Sequence, residues 1–348
     1  MDFPYFISLI LMTTQIGYSK KFNKHNMVGH PENAQRLDVL FSALKKVSFY
    51  DQLSLVEPKL LPEEKLFSIH SEEMVQLVKD ASLNGSEWLD LDTYVSKSDF
   101  DTACLAAGCA VQIASNVTKG EANNGYCLVR PPGHHATRSR SMGFCLFNNI
   151  ALAANEITRT GKKVLIFDSD THHGNGTQDI FYDRCDVMYQ SFHLFPHYPG
   201  TGRVTELGMG EGEGYTINAP LSHGNGNEAV TQLLEHIFLP VAEQFQPDII
   251  LMSTGYDSHH SDPLGGLKLT SNFYGEIIAK FQHIQPRIVC TLEGGYNLSY
   301  IDKCMLSQIG QLMDKPIIFD DTVQEHVNVE MLLQELKKEI GRFWDVTI

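Results

Sequence analysis

The chain is 348 residues long, 43% hydrophobic and 20% charged, which suits one large α/β domain or two ordinary ones with a substantial core. Its net charge of -15, from 42 acidic against 27 basic residues, argues against non-specific nucleic-acid binding, which needs basic patches to displace counterions. It suits a cationic substrate or partner, although a solvated acidic surface explains the same number.

The chain opens on MDFPYFISLILM, which is apolar but has no positive charge ahead of Met12, unlike a secretory signal, and is too short to span a bilayer. Residues 1–13 therefore read as an extension, with Met12 a candidate start, ahead of one domain over 14–348. No later segment reads as a membrane span, so a cytoplasmic location is expected. A helix is expected over 100–117, a strand over 125–129, a helix over 148–159, and strands over 163–167 and 186–192. A helix over 227–244, a strand over 249–253, a helix over 271–283 and a strand over 288–292 follow. The tail, 327–344, places Met331, Leu332, Leu336 and Ile340 at helical spacing and is expected to pack on the body. Strands that are apolar throughout and alternate with helices imply a single α/β domain with a mostly parallel sheet, flanked by helices on both faces. The seven cysteines (104, 109, 127, 145, 185, 290, 304) show no C-x-x-C spacing and read as buried thiols of a reducing compartment.

Four of these strands run directly into polar clusters: RPPGHHATRSRSMGFC, DSDTHHGNGTQ, TGYDSHHSDPLGG and EGGYNLSY. In open α/β sheets ligands bind outside the carboxyl ends of the strands, so the four loops are expected to converge. Asp170 and His172 are two apart, which in an extended loop puts both side chains on one side. With Asp257 they form the three-ligand set of a catalytic Zn²⁺ site. An Asp-x-His pair on its own is better explained by a capping aspartate and a hydrogen-bonded histidine; four polar clusters at four strand ends reverse that balance. His134 and His135 follow a stiff Pro-Pro-Gly turn and read as metal ligands or as an acid/base pair. A surface histidine pair is the bland reading. Gly294 and Gly295 permit a tight turn that leaves Tyr296 at a strand end, as an oxyanion donor or as a packing ring. The glycines of MGEGEG and SHGNGN lack the strand-to-helix context of a phosphate loop.

Taken together and in this order, RPPGHHA, DSDTHHGNGTQ, STGYDSHHSDPLGGL and LEGGYNL resemble the zinc-dependent histone deacetylase family, nearest its class II and prokaryotic members. GHPENAQRL (29–37) and HYPGTG (197–202) match as well, and the resemblance covers roughly residues 14–315. It implies the single-domain α/β fold shared with arginases, and one Zn²⁺ per chain held by Asp170, His172 and Asp257. It implies His135 as general base and then acid, and His134 as an electrostatic helper oriented by Asp168. It implies Asn175 as the partner of His135 and Tyr296 as the donor to the carbonyl oxygen. Phe144, Tyr198, Leu264, Gly143 and Thr93 would form the substrate channel. A monovalent cation, K⁺ or Na⁺, is implied at Asp168, Asp170, His172, Ser191 and Phe192, and a second at Phe181, Arg184, Val187 and Tyr215. Asn175 stands where some members have a carboxylate, as in the class II pattern, and Tyr198 replaces a phenylalanine of some relatives.

The expected partner is an acylated lysine of a protein, with no nucleic acid and no membrane. An acetylpolyamine is the nearest rival substrate. Polyamine-selective relatives carry a glutamate after the Asp-Pro, where this chain has Leu264. A non-catalytic acyl-lysine binder and an arginase-like binuclear hydrolase are two further readings; the full set of catalytic residues counts against the first, and Tyr296 with the His134–His135 pair against the second.

Overall fold

The computed structural model describes residues 13–85 and 87–346, so the N-terminal extension lies almost wholly outside the described residues. The strands are β1 (Thr14–Tyr18), β2 (Ser54–Val56), β3 (Glu87–Trp88), β4 (Tyr94–Val95), β5 (Asn124–Leu128), β6 (Val164–Asp168), β7 (Val187–Leu194), β8 (Thr216–Leu221), β9 (Ile249–Thr254) and β10 (Ile288–Leu292). Eight of them form one sheet in the order β2-β1-β5-β10-β9-β6-β7-β8. Every pairing in it is parallel, while β3 and β4 form a separate antiparallel hairpin. The central strands are buried along their whole length, as helices on both faces require. One continuous apolar core runs through the domain.

The strand order decides where the site falls. The chain moves from β5 to β6 across a gap that β9 and β10 later fill. The strands that lead into the four polar clusters therefore become four neighbours, β5-β10-β9-β6, with their carboxyl ends side by side. This reversal of winding makes the crevice in which doubly wound sheets bind ligands.

The helix Asp99–Thr118 is lined with alanine, cysteine and glycine, so it lies close to its neighbours. At Gly108 a Cβ would come within 1.9 Å of the Lys59 carbonyl oxygen. Three expectations need correction. The helix expected over 227–244 is divided into Asn227–Leu233, a π-helical turn Leu234–Phe238 and Leu239–Phe245. Pro240 has no N–H to donate to the preceding turn, and a locally wider turn accommodates this. Cys185 is exposed, whereas the other six thiols are buried, and all seven are free. The tail helix, Glu330–Ile340, buries Leu333, Leu336 and Ile340 but leaves Met331 in solvent. β1, β2, β8 and the helices Gln35–Leu44, Glu72–Asn84 and Ile301–Leu312 were not evident in the sequence pattern. No helix among the described residues is long and apolar enough to cross a membrane.

Candidate active site

β6 stays apolar until its last residue, Asp168, because only its carboxyl end reaches the crevice. Beyond it the loop carries Asp170, fully buried, and His172, half-buried; Asp257, also fully buried, comes from the loop after β9. His172 Nδ1 lies 3.0 Å from Asp170 Oδ1 and 3.2 Å from Asp257 Oδ2. One ligand atom from each residue falls within 4.8 Å of the others. Backbone N–H groups fix the outer lone pairs: Gly294 donates to Asp170 Oδ2 and Thr171 to Asp257 Oδ1, both at 2.9 Å. Gly294 is required by close approach, since a Cβ there would lie 2.0 Å from Asp257 Oδ2.

Two buried carboxylates this close need a cation. Burial pushes the Asp257 carboxyl up, Asp170 adds to the effect, and the result is about 7. Burial alone would lower His172, but its hydrogen bonds to Asp170 and Asp257 outweigh that and hold it at about 10. The set therefore collects positive charge, and two carboxylate oxygens with one imidazole nitrogen fit a divalent ion of the Zn²⁺ kind. The buried group His134–Cys145–Glu293 has comparable spacing but a poor donor, because burial pushes the Cys145 thiol well up and keeps it protonated.

The loop after β5 brings two buried histidine rings to within 4.0 Å of each other, centroid to centroid. His134 Nδ1–H donates to Asp168 Oδ2 at 3.1 Å, and the Tyr189 hydroxyl donates to the same oxygen at 3.2 Å. Burial would lower His134, but Asp168 and then Asp170 outweigh it and hold the ring protonated, at about 10. His135 goes the other way: burial, then the charges of His134 and His172, push it well below the usual histidine value. Its Nδ1 lies 2.8 Å from Asn175 Oδ1, which can only accept. The proton therefore sits on Nδ1, and Nε2 keeps a lone pair.

Tyr296 is held from beneath by residues that the sequence had not marked. Arg36, from GHPENAQRL, is fully buried. It donates from Nε to the Gly295 carbonyl at 2.7 Å, from Nη2 to the Glu293 carbonyl at 2.6 Å and from Nη1 to Glu32 Oε1 at 3.0 Å. Arg130 donates to both Glu32 oxygens. Burial would raise Glu32, but Arg130 outweighs it and holds the carboxyl at about 2. From the other side Asp262 Oδ2 accepts the backbone N–H of Tyr296 at 2.6 Å and of Asn297 at 3.0 Å. Gly295 has φ +111°, where a side chain would be strained and its Cβ would strike Tyr256. Glu293 accepts the backbone N–H of Gly133 at 2.7 Å and of His134 at 3.1 Å, tying the Tyr296 loop to the histidine pair.

Above these groups lies a pocket of about 220 Å³. His134, His135, Asp170, His172, Gly143, Phe144, Tyr198, Leu264 and Tyr296 all line it, with Asp92, Pro132, His197 and Gly294. Thr93, expected in the channel, is buried behind its wall instead. Its Oγ1 accepts the Phe144 N–H at 3.0 Å and so holds that residue at φ +68°. Asp168, Asn175 and Asp257 also stand behind the lining, acting on it through hydrogen bonds. His197, in HYPGTG, stacks on His172 at 4.9 Å and donates from Nε2 to the Leu264 carbonyl at 3.2 Å. Its sequence signal was its place beside Tyr198. His173, next to His172, faces away and bonds Thr201 and Gln178.

Of the residues singled out for monovalent cations, Asp168 and Ser191 are register partners on β6 and β7, buried beside Phe192 and Asp170. Phe181, Arg184, Val187 and Tyr215 gather near the start of β7: Arg184 N–H donates to the Phe181 carbonyl at 3.1 Å and Tyr189 N–H to the Tyr215 carbonyl at 2.9 Å. The Arg184 guanidinium is taken by Asp186, Asn155 and Thr158.

Residues 30–312 match the family model described as the histone deacetylase domain. A probable deacetylase of Archaeoglobus fulgidus is 37% identical over 82% of this chain and 82% of its own length. A probable deacetylase of Methanothermobacter thermautotrophicus is 40% identical over 80% of this chain and 85% of its own. Histone deacetylase 14, chloroplastic, of Arabidopsis thaliana is 34% identical over 91% and 79%. Among solved structures, the HDA15 HD domain superposes with a TM-score of 0.91 at 33% identity, covering 96% of each chain.

Proposed function

The chain belongs to the histone deacetylase family, and from that premise we propose that it is a Zn²⁺-dependent hydrolase removing acyl groups from lysine side chains of proteins. The observation that carries this reading is the meeting, on one pocket, of His134 bonded to Asp168, His135 bonded to Asn175 and the Tyr296 side chain over the Asp170–His172–Asp257 set. Those three residues would hold the Zn²⁺, which when bound supplies Lewis-acid polarisation and water activation.

The chain's own groups do the rest. His135 Nε2, its lone pair fixed by the Nδ1–H bond to Asn175, takes the proton of the attacking water. The same nitrogen returns a proton to the lysine nitrogen as the amide C–N bond breaks, leaving a carboxylate and a lysine amine. His134, kept cationic by Asp168, stabilises negative charge as it develops. The Tyr296 hydroxyl donates to the carbonyl oxygen in the transition state. Phe144 and Tyr198 flank the apolar lysine stem, and Leu264 gives the wall an apolar face. K⁺ or Na⁺ at the two groups on β7 would brace Asp168 and its neighbours.

One pocket carboxylate outside the ligand set, Asp92, favours a second reading, an acetylpolyamine substrate. The test is hydrolysis of a panel of acyl-lysine peptides and acetylpolyamines, with metal analysis of the same sample and of Asp257→Ala. Peptide hydrolysis by a chain holding Zn²⁺, absent from a folded Asp257→Ala, is expected. Faster turnover of acetylpolyamines than of every peptide would overturn the protein-deacylase reading. Full metal occupancy in the variant would overturn the ligand set.

A further inference from the structure

His259 and His260 of TGYDSHHSDPLGG take no part in the site described above. They lie on the loop after β9, two and three residues past Asp257, and neither lines the pocket. Both reach the same carboxylate, Asp321: His259 Nε2 lies 2.9 Å from Oδ2, and His260 Nε2 lies 2.8 Å from Oδ1. Asp321 belongs to a segment, 315–329, without helix or strand, and it lies beyond the residues matched by the family model. This strap is nevertheless tied along the catalytic loop. The Asn272 side chain brackets Phe319, donating to its carbonyl and accepting its N–H, each at 2.9 Å. Lys268 Nζ donates to the Gln324 carbonyl at 2.8 Å, and Asn225 Nδ2 to the His326 carbonyl at 2.6 Å.

Two histidines and a carboxylate have the composition of a metal site, and their ligand atoms lie within 4.8 Å of one another. The hydrogen bonding speaks against a cation there. Asp321 Oδ2 already accepts the Ser271 N–H and the Ser271 hydroxyl, both at 2.7 Å, besides His259. With His260 on Oδ1, the carboxylate takes four donors, three on Oδ2 and one on Oδ1, which leaves little of it for a cation. The group is a clasp. His259 is buried, packs its ring at 4.7 Å from that of Tyr300, and its N–H closes the turn on the Tyr256 carbonyl at 3.3 Å. That turn contains Asp257, and the loop continues to Asp262 and Leu264.

We propose that Asp321 is a positioning residue: through His259, His260 and Ser271 it fixes the loop that sets Asp257 against Asp170 and His172. The inference rests on the reading of Asp257 as a metal ligand. Residues behind the ligands of a metal site typically change metal affinity by about 10–100-fold when removed.

The test compares the full-length chain with Asp321→Asn, which keeps the shape but replaces one acceptor oxygen by a donor, and with Asp321→Ala. Zn²⁺ affinity is measured by chelator competition, ligand geometry by the visible spectrum of the Co²⁺-substituted chain, and kcat and KM on one acetyl-lysine peptide. Expected are a Zn²⁺ dissociation constant raised roughly tenfold or more, an altered Co²⁺ spectrum, and a fall in kcat larger than the change in KM. A lowered melting temperature with unchanged Zn²⁺ affinity, spectrum and kcat would make Asp321 a stabilising residue only, and would overturn the proposal. A second bound metal in the wild type that disappears in Asp321→Ala would also overturn it, by making the clasp a cation site. If the wild type bound no Zn²⁺ at all, the reading of Asp257 would fail first.

Discussion

Tyr296→Phe removes one oxygen and almost nothing else. The ring keeps its edge-on contact with Phe144, 5.9 Å between centroids, and its place 5.1 Å from the Arg36 guanidinium. The backbone keeps its bond to Asp262. Among the described residues no group hydrogen-bonds the hydroxyl, so its loss strands no partner and costs the fold little. Burial, then the nearby Asp257 charge, push the phenol well above its usual value. It is therefore a donor throughout the neutral range. A preorganised donor aimed at a developing oxyanion is worth about 10²–10³ in kcat, or about 2.7–4 kcal/mol. Steady-state kinetics on an acetyl-lysine peptide, with Zn²⁺ content and thermal melting measured alongside, should show that loss in kcat with metal and stability unchanged. Near-normal kcat with a raised KM would mean that Tyr296 helps only to bind substrate, and would refute its role as oxyanion donor.

Leu264→Glu should shift kcat/KM towards acetylspermidine by about 1.5–3 kcal/mol, the worth of one charge-assisted hydrogen bond, and the shift should shrink in high salt; an unchanged substrate ratio would dismiss Leu264 as a selector. Arg36→Ala strips the Gly295 and Glu293 carbonyls of their donor and one cation from Glu32, and should cost about 3–5 kcal/mol in urea unfolding as well as most of kcat. Glu32 titrates at about 2 in the folded chain against 4.5 for a free carboxyl, so the stability it contributes is complete above pH 4.5 and is lost as pH falls towards 2. Glu32→Gln should flatten that part of the urea-midpoint profile, and an unchanged slope would deny the network this role.

The central strands were legible because covered strands are written as unbroken apolar runs, and β9 and β10 fall where the runs place them. β8, TINAPL, mixes polar residues and a proline at the sheet edge, so its sequence carries no such run. β2 is three residues long and half exposed. The strand order was not legible, because nothing local says that β9 and β10 slot between β5 and β6. Asp170, His172, Asp257 and the histidine pair could be picked out as candidates because their residue types announce chemistry, and the fold brings them together. Arg36, Glu32 and Asp262 could not, because their work is done on backbone groups of a loop far along the chain. An arginine in the first turn of a helix, as Arg36 is in Gln35–Leu44, looks like a solvated surface residue until the fold buries it. Thr93 shows the converse: placed in the channel by resemblance, it acts one layer behind, on the backbone of Phe144.

The charge count of the buried site gives its own reason for a metal. Asp168 is answered by the protonated His134, one charge against one. His135 is neutral and Tyr296 is neutral, so neither helps Asp170 or Asp257. Those two carboxylates are left with His172, which takes up a proton and holds it to about 10. One positive charge does not balance two negative ones, and Asp257 is accordingly pushed to about 7, the pH at which it is half protonated and the set holds part of a second proton. The metal-free chain thus gathers up to two protons near neutrality in the space between three ligand atoms. A divalent cation would put the same two charges there, release both protons, and leave both carboxylates ionised with His172 neutral, the states in which all three can act as ligands. A structural pairing of aspartate with histidine would balance one charge with one and leave Asp257 where free carboxylates are. The excess negative charge, more than the spacing of the residues, is what favours a metal site over a hydrogen-bonded cluster at these strand ends.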